Sequence, residues 1–239
     1  MTLNIWGGHV KSPLLDFIQT HREVDIFCFQ EVYHNALYKI STEDREVSLN
    51  IFAELHKILS DHQAFFRPVV ENIYGLGMLV KKEMDVLEEG AILIHDNPNY
   101  QGRGPAHSRN LQWLQYRIDN KVHSILNVHA LWNGKGKTDT PERLAQSRRI
   151  TEFIATLNTP KILCGDLNLR PNTESIKLLE NGMNNLIKQY DVCSTRSKLY
   201  EKEERYADYI FTSPDIHINS FQVLNDEVSD HLPLLLDYK

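Results

Sequence analysis

Apolar residues along this chain fall into short runs, most of them closed by a polar or charged residue. Thr2 to Trp6 is a brief β-type run that stops at Gly7-Gly8, and Asp25 to Gln30 (DIFCFQ) is nearly continuous, the pattern of a buried strand, ending in Glu31. Phe65 to Val70, Gly77 to Lys81 and Met84 to Leu93 read as successive strands. Leu111 to Ile118 and Val122 to Val128 form a hairpin across Asp119-Asn120 that delivers His129. Lys161 to Arg170 (KILCGDLNLR) is a strand running through Gly165 to Asp166 and Asn168. Arg205 to Ser213, Ile216 to Leu224 and the closing LPLLLDY add three more.

Helical spacing alternates with these runs. Ser12 caps a helix with Pro13 at its first position and Leu14, Leu15, Phe17 and Ile18 inward. Ser48 to Ser60 carries Ile51, Phe52, Leu55, Ile58 and Leu59 at helical period. Thr140-Pro141 opens a helix to Leu157 with Leu144, Ile150, Phe153, Ile154 and Leu157 inward, and Thr173 to Leu179 is a shorter one. Asp96 to Arg109 and Asn133 to Thr140 read as exposed loops. No linker or repeat interrupts the order, so the expectation is one α/β (α+β) domain over residues 1–239 with two sheets packed face to face.

Composition adds bounds. A chain of 239 residues, 41% hydrophobic and 24% charged, suits a soluble globular protein with a sizeable core. No apolar run approaches the roughly 20 residues a membrane helix needs. MTLNIWGGHV lacks a basic segment followed by an apolar one, so no signal peptide is expected. Three cysteines (Cys28, Cys164, Cys193) at spacings that suit no zinc site fit reduced thiols and a cytoplasmic location. Net charge is −6, but Gln101 to Arg149 holds nine Lys/Arg against three acids, a local +6 in an otherwise acidic chain. Such asymmetry fits a region meeting an anionic substrate; the alternative is a solvated surface.

The chemistry-bearing residues stand where strands end: Asn4, Glu31, His129, Asp166 with Asn168, Asp208, and Asp230-His231. If extension persists past Gly165, Asp166 and Asn168 leave the same face, since i and i+2 project together. The alternative is an Asx-type turn. His129 alone also fits a satisfied core histidine, and Asp208 a structural partner of a buried Tyr or Arg. Taken together, carboxylates with amides and no thiolate suit a hard cation such as Mg²⁺ or Mn²⁺. Two decoys fail. Gly136-Lys137-Thr138 matches the end of a P-loop, but the first glycine would have to stand at Leu131. Ser229-Asp230-His231 has the residue types of a nucleophilic triad, yet neighbours on one extended strand point to opposite faces.

The segments TLNIW, FQEV, NVHALW, GDLN, ADYIF and SDHLP, in this order across the chain, resemble the endonuclease/exonuclease/phosphatase superfamily of deoxyribonuclease-I-like, metal-dependent phosphoesterases. The resemblance implies a four-layer αββα sandwich of two mixed sheets flanked by helices. It implies Glu31 as chief metal ligand for Mg²⁺ or Mn²⁺, with Asn4 and Asp230 nearby. By the same resemblance Asp166, assisted by Asn168, handles the attacking water. His129 and His231 stabilise phosphoryl charge, and Asp208 fixes one imidazole's tautomer.

The superfamily's substrates are diverse, and fold does not choose among them. Its abasic-site nucleases carry a bulky aromatic patch before the DY motif, where this chain has Arg205-Tyr206-Ala207. Loops 96–110 and 132–140 offer Arg109 and Trp132 as substrate-binding groups, with Lys135 and Lys137 beside them, a surface suited to nucleotide or nucleic acid. The expectation is a phosphodiesterase or nuclease that takes a phosphate ester and shows no obligate protein partner. A phosphomonoesterase on a small metabolite or phospholipid head group is the alternative. A non-catalytic module would have lost Glu31, Asp166, Asp230 or His231, and all four are present.

Overall fold

The computed structural model describes residues 1–37, 47–101 and 104–239. Its first half comprises β1 (Thr2–Asn4), α1 (Lys11–Thr20), β2 (Ile26–Tyr33), α2 (Ile51–Ile58), β3 (His62–Val70), β4 (Tyr74–Lys81), β5 (Asp85–His95) and β6 (Arg109–Ile118). The second comprises β7 (Lys121–His129), α3 (Pro141–Thr156), β8 (Lys161–Asp166), α4 (Glu174–Leu179), β9 (Asn184–Asn185), α5 (Leu186–Gln189), β10 (Asp208–Thr212), β11 (Ile218–Val223) and β12 (Leu234–Tyr238). Arg103, counted in the basic stretch, lies outside the described residues.

Two six-stranded mixed sheets result, ordered β11-β12-β1-β2-β4-β3 and β5-β6-β7-β8-β10-β9. At the middle of each is a parallel pair, β1 with β2 and β7 with β8. A helix bridges each pair, α1 in the first and α3 in the second. Parallel neighbours end on the same edge, so the carboxyl ends of β1, β2, β7 and β8 supply Asn4, Glu31, His129 and Asp166. Phe27 and Phe29 face Leu14, Ile18, Phe52 and Leu55 of α1 and α2, while Ile26 and Cys28 join Met78, Val128 and Cys164 between the sheets. With Ile150 and Ile154 of α3 and Ile176 of α4 packed on the second sheet, the layers are αββα as expected.

Several local expectations shift. α1 begins at Lys11 behind Val10, with no side-chain cap, so Ser12 and Pro13 lie inside its first turn. β2 does not end at Glu31: it bulges between Phe29 and Val32, with Glu31 at φ 58°, and resumes to Tyr33. The bulge turns the carboxylate out of the ladder. Thr140 caps α3 by accepting from Arg143 N–H, as the Thr-Pro signal predicts. The buried face of α3 includes Arg143, Gln146 and Ser147 beside Ile150 and Ile154, a polar contribution the apolar stripe does not reveal. Arg109, expected on an exposed loop, opens β6 and is 2% exposed. Cys28 and Cys164 are buried free thiols and Cys193 is exposed. Among the described residues no helix is long and apolar enough to cross a membrane.

Candidate active site

The two sheets meet above a buried polar bridge. Gln30 Nε2 donates to Asn127 Oδ1 at 2.6 Å, and Asn127 Nδ2 returns to Phe29 O at 3.1 Å. This bridge fixes the spacing between the sheets directly below the functional edge. Above it opens a cleft of about 900 Å³. Glu31, His129, Asp166, Asn168, Asp230 and His231 stand among its walls with Arg109, Lys137 and Arg196.

Asp166 lies at the centre. Gly165 adopts φ +129° where a Cβ would meet Val128 O at 2.1 Å, so only glycine lets β8 pass this close to β7. Extension then stops. Asn168 is left-handed at φ 54°, and its backbone N–H donates to Asp166 Oδ1 at 2.8 Å. The Asx turn and the polar pair are therefore one arrangement: the turn holds Asp166 rigid and sets the Asn168 carboxamide beside Ala130 O (3.3 Å) and Lys137 Nζ (3.1 Å). Burial acts to raise the Asp166 pKa. His231, Lys137, His129 and Arg196 outweigh it and hold the carboxylate ionised below the usual range.

Asn4 Nδ2 donates to Glu31 Oε1 at 2.9 Å and to Asp166 Oδ2 at 3.0 Å, while its Oδ1 accepts from Trp6 N–H at 3.0 Å. The Trp6 contact fixes the amide's orientation, so Asn4 turns its N–H₂ group toward the carboxylates. In this orientation it braces both carboxylates. Burial raises the pKa of Glu31, and Asp230 and Asp166 push it the same way against its bond to Asn4. Ligand atoms of Glu31, His129 and Asp166 lie within 4.8 Å of one another, as do those of Asp166, Asp208 and His231. An oxygen-rich set of this kind fits a hard divalent ion.

The histidines flank Asp166, each Nε2 being 3.7 Å from Asp166 Oδ2. His231 Nδ1 meets both Asp208 oxygens, at 2.9 and 2.8 Å. The pairing that the motif order implies for Asp208 is thus present in space. Asp208 sits there because β10 pairs antiparallel with β8, Asp208 opposite Asp166. His231 directly follows a bend at 228–230 and forms an isolated β-bridge with Arg196. Ser229 Oγ ties this bend to β1 by donating to Asn4 O at 2.7 Å. His129 Nδ1 receives Arg109 Nη1 at 3.1 Å. Burial and Arg109 lower the His129 pKa well below its ordinary value. Burial opposes protonation of His231 as well, but the carboxylates of Asp208, Asp230 and Asp166 prevail and its pKa is raised.

Three cations complete the site. Arg196 Nη1 reaches Asp230 Oδ2 at 2.9 Å and His231 Nε2 at 2.5 Å, and its guanidinium lies 4.0 Å over the Tyr200 ring. No spacing in the sequence announces Arg196. It arrives through a β-bridge to His231 across 35 positions. Lys137, expected on an exposed loop, is 1% exposed, and burial pushes its pKa down to about 8. Arg143 bonds Leu131, Gly136 and Thr138 carbonyls, shaping the loop that carries Lys137 in. Trp132 is half-buried at the cleft wall, 5.9 Å from Lys137 Nζ and 5.7 Å from the Arg143 guanidinium. Arg109 lines the cleft from within β6, bonded to His129.

The chain matches the profile of the Endonuclease/Exonuclease/phosphatase family over residues 1–231. No curated protein matches it. A Bacteroides vulgatus endonuclease/exonuclease/phosphatase is similar in structure at TM-score 0.76 and 18% identity, covering 100% of this chain and 97% of that one. Mannosyl-6-phosphatase of Bacteroides thetaiotaomicron gives TM-score 0.77 at 17% identity, covering 100% and 98%. The human Nocturnin catalytic domain with bound sulfate gives 0.70 at 18%, covering 99% and 91%.

Proposed function

The chain belongs to the endonuclease/exonuclease/phosphatase family of phosphoesterases, and from that premise we propose that it hydrolyses a phosphodiester with the help of a divalent cation. The observation that carries the reading is Asp166, buried and held ionised between two imidazoles 3.7 Å away, with its ligand atoms close to those of Glu31. Asp166 orients the attacking water and accepts its proton, and Asn168 fixes that water's direction. His129 donates from Nε2 to a non-bridging phosphoryl oxygen. His231, backed by Asp208, neutralises charge on the opposite side. Glu31, with Asp230 across the cleft, would hold Mg²⁺ or Mn²⁺, which supplies charge neutralisation for the phosphoryl and leaving oxygens.

For the substrate's remaining surface, Trp132, Tyr74, Tyr100 and Tyr200 offer rings and Arg196 and Lys202 offer charge around the cleft. Rings beside cations suit a nucleotide or a nucleic-acid strand. One observation favours a second reading. Arg109, Lys137 and Arg196 are buried cations in one cleft, which also suits the dianion of a phosphomonoester. Mannosyl-6-phosphatase shows that this fold is also found in a sugar-phosphate phosphatase. Strand-cleavage and phosphate-release assays run in parallel with each metal separate the two. Asp166→Ala and His231→Ala should each abolish metal-dependent hydrolysis of bis(p-nitrophenyl) phosphate while circular dichroism remains native. Full activity in either variant removes the assignment.

A further inference from the structure

We infer that Arg109 is a positioning residue whose guanidinium fixes His129 in the tautomer that carries its proton on Nε2. Arginine has five N–H donors and no acceptor. Its Nη1 lies 3.1 Å from His129 Nδ1, so Nδ1 must present its lone pair and the ring proton must sit on Nε2. The guanidinium cannot easily turn away. Arg109 is 2% exposed, Nη2 is anchored on Pro105 O at 2.8 Å, and Nε is buried with no partner. A buried charge with so few bonds is costly to keep unless the bonds it makes matter to the site.

The far side of the ring agrees. His129 Nε2 stands 3.7 Å from Glu31 Oε1 and 3.7 Å from Asp166 Oδ2. Both neighbours are acceptors, and both are too distant for a full hydrogen bond. The N–H is therefore directed at the space between the carboxylates and left available. A carboxylate behind His129 would draw the proton to Nδ1, reverse the tautomer and add another anion beside Glu31 and Asp166. An arginine orients it and lowers the local negative charge together.

The inference rests on the phosphoesterase reading for what Nε2–H then touches, but the tautomer itself can be measured without turnover. Two-bond ¹H–¹⁵N spectra of the labelled wild-type chain should show His129 protonated on Nε2. Arg109→Met should convert it to a mixture or to Nδ1–H, whereas Arg109→Lys, another donor without an acceptor, should preserve it. In hydrolysis of bis(p-nitrophenyl) phosphate, Arg109→Met should lower kcat about 10- to 100-fold with little change in KM, as expected when a donor to the transition state is mis-set. His129→Gln supplies a fixed N–H with no tautomer to choose. In that background Arg109→Met should cost less than about two-fold more. An Nδ1–H signal in the wild type overturns the inference, even if Arg109→Met fails to fold. So does a full additional loss in the glutamine background, which would mean that Arg109 acts on substrate directly. Wild-type inactivity on every phosphate ester would instead sink the phosphoesterase reading and leave the tautomer result standing.

Discussion

His129 and His231 approach Asp166 at the same 3.7 Å, yet the partners behind them are opposites. Asp208 stands behind His231 and Arg109 behind His129. With Nδ1–H donated to Asp208, neutral His231 keeps a lone pair on Nε2 to which Arg196 donates. Protonation, favoured by the carboxylates of Asp208, Asp230 and Asp166, puts an N–H there instead. With Arg109 donating to Nδ1, His129 turns an N–H to the centre. One ring is built to accept and to tolerate charge, and the other to donate while neutral. The opposite pKa directions of the two follow from the same partners. A single residue type is held in two ways because its backing group differs.

The sharpest way to break this contrast is Asp208→Asn. An amide can keep the ring in place but cannot support an imidazolium. Neutralising an aspartate that orients a catalytic imidazole costs about 10³- to 10⁴-fold in kcat in other hydrolases, and a comparable loss is expected here. Arg109→Met should cost far less. Steady-state rates for both variants decide it: if Asp208→Asn loses no more than Arg109→Met, the two corners are not functionally distinct.

Gly165→Ala should strike both corners together. Gly165 lies opposite Val128 of the His129 strand and Tyr209 of the Asp208 strand. An added Cβ would meet Val128 O at 2.1 Å in a backbone conformation unfavourable for alanine. A loss of about 2–4 kcal/mol in urea unfolding is expected. Any folded fraction should show both histidine signals displaced. Displacement of only one would show that β8 does not hold the corners in common.

How much of this was legible depended on distance along the chain. The strand ends declared themselves, since apolar runs closing in Asn4, Glu31, His129 and Asp166 need only local pattern. That Asp208 backs one of the imidazoles was implied by the motifs, and the structure shows the partner to be His231. The Arg109–His129 pair was not legible. GRGPAHSR reads as an exposed loop because glycine, proline and arginine favour one, and burial follows only once His129 and Pro105 O accept the guanidinium's protons. The bulge at Glu31 and the bridge bringing Arg196 to His231 likewise arise from pairing between strands or loops, which no periodicity records.

Lys137 belongs to neither histidine and lets their contributions be separated by pH. Its ammonium donates to Asn168 Oδ1, and burial brings its pKa from 10.5 to about 8. Activity should therefore fall as pH rises through about 8. The sign for stability is opposite. Between about 8 and 10.5 the unfolded chain holds a proton the folded chain has lost, so stability should rise with pH across that window. Lys137→Met should lower kcat/KM about tenfold and remove both effects. An alkaline limb that survives in this variant would show that a group other than Lys137 sets it.

The smallest effect is expected at Trp132, three residues beyond His129 and outside both pairings. Its ring faces Lys137 and Arg143 at cation–π distance and leaves its remaining surface on the cleft wall. Ring contacts of this kind contribute about 0.5–1 kcal/mol where partly solvated, so Trp132→Ala should raise KM about 2- to 5-fold for a nucleotide-like diester. A small aliphatic phosphate ester has no ring to stack and should be nearly unaffected. A fall in kcat on both substrates would instead place Trp132 behind Lys137. The boundary between substrate binding and the His129 corner would then lie one residue shell further from Asp166.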